Sequence, residues 1–220
     1  MNVYEAVETR RAVRGFTDQA VPREVLERVL AAASRAPSGA NLQPWHTYLV
    51  TGERLERLKR LAVARASSGD QGDDPEFEMY PPELKSPYRE RRREAAEQRY
   101  RAFGIPREDK DARQRAVVRN WDCFGAPTAL FCYIDQSMGP AQWADLGMYL
   151  QTVMLLLRAE GLHSCPQMAW SVYHRTVADV LSPPASLVLF CGLSVGHPDP
   201  AAPRYRVGRA PLDQTVTILD

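Results

Sequence analysis

Apolar positions along this chain fall mostly at helical spacing. Val25, Leu26, Val29, Leu30 and Ala33 predict a helix from Pro22 through Ala36, and Leu55, Leu58, Leu61 and Ala62 predict another over Glu53–Ala66. Val3, Ala6 and Val7 mark a short helix over Val3–Thr9, and Val117, Val118 and Trp121 one over Lys110–Phe124. Trp143–Glu160 is apolar around most of its circumference, as expected of a helix in the middle of a fold or between subunits; Asp145, Gln151 and Arg158 are its polar interruptions. A last short helix is predicted over Tyr173–Leu181. The period changes to two at His46–Thr51. Thr128–Ile134 and Ser186–Cys191 are nearly unbroken apolar runs, the pattern of strands covered on both faces. Val216–Leu219 reads as a short terminal strand, able to join a sheet in its own chain or in a partner's.

One region breaks this regularity. Ser67–Pro87 has no core-forming pattern, and Tyr88–Phe103 is helical but crowded with arginine and glutamate. Its interspersed glutamates, and a whole-chain net charge of only +1, argue for a solvent-facing cover helix rather than a nucleic-acid helix. An excursion of this length usually serves a site, so Gly69–Pro106 is predicted to be a lid on a single domain spanning 1–220. No apolar run reaches membrane-spanning length. The first residues lack the pattern of a secretory leader and the four cysteines are scattered, which together suit a cytoplasmic chain with free thiols.

The chemistry is narrowed by elimination. His46, His163, His174 and His197 are dispersed without metal-ligand spacing, so no metal site is expected. There is no Gly-x-Ser-x-Gly elbow, and Cys165 has no activating partner in its sequence neighbourhood. Glycine-rich phosphate loops and dinucleotide turns are also missing, so a bound phosphate must be held by arginines. The segment Arg10-Arg11-Ala12-Val13-Arg14-Gly15-Phe16 supplies convergent guanidinium groups for that purpose. The turn-rich stretch Arg35–His46 supplies Pro37, Ser38, Gly39, Asn41 and Gln43, whose amides and short side chains suit the edge of a heterocycle; Pro44 is expected to keep Gln43 extended. These groups can embrace a planar, phosphorylated cofactor, while no side chain is equipped for difficult covalent chemistry. That division is expected when the cofactor carries the electrons.

Arg10–Phe16, followed by Ala36-Pro37-Ser38-Gly39-Ala40-Asn41-Leu42-Gln43-Pro44-Trp45, resembles the FMN-dependent nitroreductase family, and the likeness extends over essentially the whole chain. The Tyr80-Pro81-Pro82 stretch and the arginine-rich Tyr88–Arg101 are most similar to its branch acting on nitroaromatic acids and related compounds. The resemblance implies an α+β fold with a mixed, mainly antiparallel sheet between helices, and an intertwined homodimer with FMN at the interface. It implies Arg10, Arg11, Arg14 and Arg209 at the FMN phosphate and ribityl chain, with Arg206 as a further contact. Pro37, Ser38, Gly39 and Asn41 are implied to approach the flavin from the other subunit, supported by Gln43. Pro166, Gln167, Met168 and Ala169 are implied to lie by the isoalloxazine, with Asn120 on the pyrimidine side and Gly192 leaving room near the cofactor. Ala12 departs from the family's usual serine and removes one polar contact to the ribityl or phosphate group. The implied activity is ping-pong reduction of a nitroaromatic or quinone by NADH or NADPH through flavin N5. Ene or flavin reduction, reductive dehalogenation, and non-catalytic FMN sensing or storage are the alternatives.

Overall fold

The computed structural model describes Met1–Leu219; Asp220 lies outside the described residues. A four-stranded sheet runs through the middle, with β1 His46–Thr51, β2 Thr128–Asp135, β3 His163–Gln167 and β4 Leu187–Gly196 in the order β1-β2-β4-β3. Every pairing in it is antiparallel, and β2 carries a bulge between Cys132 and Tyr133. The only parallel pairing reported among the described residues is an isolated bridge from Ala12 to Ser164 on β3.

The period-two pattern sorts side chains between two layers. Ala129, Phe131 and Tyr133 of β2 face a core built with Leu55, Leu58, Trp121, Trp170 and Tyr173. Leu130, Cys132 and Ile134 face the other way, onto Leu26, Val29, Leu146, Tyr149 and Val153. The first layer is covered by α3 (Gly52–Ser67) and α7 (His174–Leu181), the second by α2 (Arg23–Ala33) and α6 (Pro140–Ala159). Burial of both faces explains why β2 and β4 read as continuous apolar runs. α1 (Val3–Thr9) packs on α6, while α4 (Tyr88–Ala102) has no buried residue, as a cover helix requires.

The boundaries differ from the sequence pattern where local chemistry intervenes. α2 stops at Ala33 rather than Ala36, because the Ser34 hydroxyl and the Ala36 amide turn back to Ala31 and Ala33. α5 is Lys110–Val118 and stops short of Phe124, since Cys123 and Phe124 adopt left-handed backbone (φ 50° and 54°) in a tight 3-10 turn. β3 occupies a segment expected to be loop; apart from the single Ala12–Ser164 bridge it pairs only with β4, and such an edge strand can hold Pro166. Val216–Leu219 joins no sheet of its own chain: the segment is exposed irregular chain after a 3-10 turn at Leu212–Gln214.

Candidate active site

Two ends of the chain and one helix meet to form a cleft of about 930 Å³. The first wall is the segment after α1. It is pinned by the Val13 amide donating to the Ser164 carbonyl (3.1 Å) and the Phe16 amide donating to the Phe124 carbonyl (3.1 Å). Val13 and Phe16 are buried, which leaves Arg10, Arg11 and Arg14 half-buried along the cleft. The second wall is the C-terminal tail, tied to the first by Thr17 donating to the His197 carbonyl and Asp199 to that of Gly15 (both 3.0 Å). Arg14 donates to the Tyr205 hydroxyl, and its guanidinium lies 5.8 Å from the Tyr205 ring centroid. Arg206 and Arg209 follow on the same strand of chain. The third wall is α4, through Arg92, Ala95, Ala96, Arg99 and Tyr100, with Tyr80 beside it; Gln151 of α6 also lines the space.

Seven arginines therefore line one cleft, and among the described residues no aspartate or glutamate does. The crowding is visible in their proton affinities. Burial, reinforced by Arg209 and Arg206, lowers the pKa of Arg10, and burial with Arg204 alongside lowers that of Arg11. Guanidinium groups collected without counter-charge form an anion site. Five sequence-predicted residues come together here: Arg10, Arg11, Arg14, Arg206 and Arg209.

The other predicted residues lie elsewhere in the single chain. Pro37, Ser38, Gly39, Asn41 and Gln43 form a mostly exposed loop that does not line the arginine cleft. The Gly39 amide donates to the buried Asp145 carboxylate (3.1 Å), and the Gln43 amide donates to the Ser38 hydroxyl (2.9 Å). Gln43 is left-handed (φ 50°) rather than extended, as are Ala40 and Asn41; its amide and side chain bond back to Ser38 and Asn41 and override the preference set by Pro44. Asn120 spends its side-chain amide on the Val117 carbonyl (2.8 Å), and its own carbonyl accepts from Gln167 (2.5 Å). Gln167 is buried and also accepts from the Ser194 hydroxyl, so its side chain is a strut of the core. Pro166 continues the β3 edge, Met168 begins the following 3-10 turn, and the Ala169 carbonyl accepts from the Trp121 indole (3.0 Å). Gly192 does leave room, but Trp170 fills it: a Cβ there would collide with the indole ring.

Several residues escaped the sequence analysis as parts of the site. Arg99 and Tyr205 looked like ordinary members of a charged helix and a proline-rich tail. Asp145 and Gln151 stood out only as polar breaks in an apolar helix; they prove to hold the Gly39 loop and to line the cleft.

The family model "Nitroreductase family" matches residues 7–197. This chain belongs to the nitroreductase family. One solved nitroreductase, the FMN and NADPH-dependent NfnB of Sphigopyxis sp. strain HMH, shares 44% identity with it at a TM-score of 0.96, covering 100% of both chains. The nitrobenzene nitroreductase of Ectopseudomonas oleovorans is 34% identical over 98% of this chain and 96% of its own. The 4-nitrobenzoate reductase of Nocardioides sp. (strain LMS-CY) is 35% identical over 97% of this chain and 88% of its own. In this nitroreductase, the arginine cleft and the tail that closes it thus sit on the α+β scaffold of the family.

Proposed function

We propose that the protein is an FMN-dependent NAD(P)H oxidoreductase that reduces nitroaromatic acceptors. The observation carrying this is the cleft of seven arginines without a carboxylate, on a scaffold matching an FMN- and NADPH-dependent nitroreductase end to end. The residues fit a flavin mononucleotide: Arg10, Arg11, Arg14, Arg206 and Arg209 are grouped to hold a phosphate, and among the described residues no carboxylate lines the cleft to compete with it. When bound, FMN supplies the two-electron chemistry that no side chain here offers.

The protein's share of the work is binding, orientation and shielding. The arginines fix the phosphate end, while the backbone around Pro166–Ala169 is held rigid by its pairing to β4 and by the bonds of Gln167 and Trp121. The exposed loop with left-handed Ala40, Asn41 and Gln43 does not line its own chain's cleft. That supports a homodimer in which Pro37, Ser38, Gly39, Asn41 and Gln43 serve the partner's flavin. Exposed apolar side chains on α1 (Val3, Tyr4 and Val7), α6 (Met148) and the tail (Ile218 and Leu219) give a second copy something to cover. Residues 69–106 act as a lid of the single domain, closing over the cleft through α4 and excluding water.

The relatives include reductases of both a neutral and an acidic nitroarene. Arg92, stacked 4.2 Å from the Tyr80 ring centroid at the cleft wall and without a carboxylate partner among the described residues, suits acceptors bearing a carboxylate. Among the described residues, no helix is long and apolar enough to cross a membrane. All four cysteines are free and buried, in keeping with the cytoplasm. The deciding experiment is anaerobic stopped-flow absorbance of the flavin band. NADH or NADPH is expected to bleach it and 4-nitrobenzoate to restore it promptly. A bound flavin that never bleaches would identify a sensor or storage protein instead.

A further inference from the structure

Arg99 has no role in the function as described so far, yet it lines the cleft and its guanidinium makes no hydrogen bond or ion pair among the described residues. Its Nε is buried and finds no hydrogen-bond acceptor. The carboxylates of its own helix are engaged elsewhere: Glu97 pairs with Arg113 (3.2 Å) and Glu94 accepts from Gln98 (3.0 Å). The Tyr100 ring, 4.6 Å away at its centroid, already carries the Arg113 guanidinium at 4.2 Å. An orphaned charged donor is expensive to keep unless a ligand completes it.

Its position identifies the ligand's end of the cleft. Arg14, Arg99 and Arg10 act together on the Cys165 thiol, drawing it down against a burial that pushes it up to about 11. Arg14 and Arg99 likewise oppose the upward effect of burial on Tyr205. Arg99 therefore belongs with the phosphate arginines rather than with the Arg92–Tyr80 pair.

We infer that Arg99 is a phosphate ligand supplied by the lid, its guanidinium donating to the anion held by Arg10, Arg14 and the tail arginines and so pinning α4 over the cleft. This rests on the flavin assignment for the identity of the phosphate. Without an anion, the charged neighbours of Arg99 in the cleft are other arginines. With one, cofactor binding and lid closure become a single event.

The test uses deflavinated full-length protein as wild type, Arg99→Gln and Arg99→Lys, with circular dichroism confirming that each variant is folded. FMN and riboflavin are titrated by flavin fluorescence, and hydrogen exchange of residues 88–102 is followed with and without FMN. Arg99→Gln is expected to weaken FMN by about tenfold, the low end for a hydrogen bond to a charged group, and to leave riboflavin unchanged. Arg99→Lys is expected to recover part of the loss, and FMN to slow exchange in α4 only when the arginine is present. Equal FMN affinity in wild type and Arg99→Gln, or equal losses for FMN and riboflavin, would overturn the inference. So would an intact FMN affinity with a raised KM for NADPH, which would assign the anion to the reductant. Inorganic phosphate, read by the rise in Tm, tests the site without flavin. If wild type ignores FMN yet gains more from phosphate than Arg99→Gln does, the flavin assignment fails and the lid ligand stands.

Discussion

A methyl group at Gly192 would meet the Trp170 indole, which stands edge-on to Phe131 (5.1 Å between centroids) in the sheet core. Gly192→Ala is therefore expected to cost about 1–3 kcal/mol, read as a lower urea midpoint with an unchanged slope. His163 is expected to govern part of the acid sensitivity. Burial first, then the charges of Arg158, Arg11 and Arg204, lower its pKa from 6.5 to about 4. Above pH 6.5 the imidazole is neutral in both states and its contribution is complete. As pH falls from 6.5 towards 4, the unfolded chain takes a proton that the folded one refuses, and stability drains away. Solvent reaches part of the ring and screens the effect to about 1 kcal/mol, or ~2–4 °C in Tm. His163→Gln should flatten that part of the Tm profile between pH 7 and 5. At this scale the sequence was most legible where charge density itself was the signal, as at Arg10–Arg14. It was least legible where a partner distant in sequence decides, as Trp170 does for Gly192, or where side-chain bonds set an unusual backbone, as at Gln43.

Elements with a full amphipathic or all-apolar pattern could be placed from the sequence because burial on one or both faces writes their period directly. α3 and β2 are examples. β3 gives almost no such signal, since five residues on a sheet edge, one of them proline, satisfy only one neighbour. Val216–Leu219 pairs with no strand of its own chain, and for a like reason: an apolar tetrapeptide announces strand propensity but not the edge that must receive it. The loop between α2 and β1 depends on one buried contact, the Asp145 carboxylate at the Gly39 amide. Asp145→Ala is expected to loosen residues 37–43, visible as faster hydrogen exchange there, to lower flavin affinity severalfold, and to cost about 1–2 kcal/mol of stability. The ends of the excursion differ in attachment. Arg65 grips Asp70 (2.7 Å) and Asp73 (3.0 Å) near its start, whereas α4 buries no residue. Motion is thus expected to concentrate in the helix rather than in the strap leading to it.

For the whole molecule, the exposed apolar faces of α1 and α6 argue for assembly, and light scattering should return twice the chain mass. Met148→Arg, on the exposed side of α6, should shift that mass towards the monomer and release flavin with it. The fold class, the arginine segment and the loop at Pro37–Gln43 were all readable from one chain's sequence. The spatial relation between segment and loop was not: within the chain the loop does not line the arginine cleft. The cleft itself joins residues near opposite ends of the chain: Arg14 reaches Tyr205 across 191 positions, and the Phe16–Pro198 bridge ties the two strands of chain together. On a ribosome, the N-terminal arginines emerge long before their tail counterparts. A nascent chain can therefore build most of its sheet but cannot load its cofactor until synthesis is nearly over, and a transcript cut short would yield protein that folds in part and stays colourless.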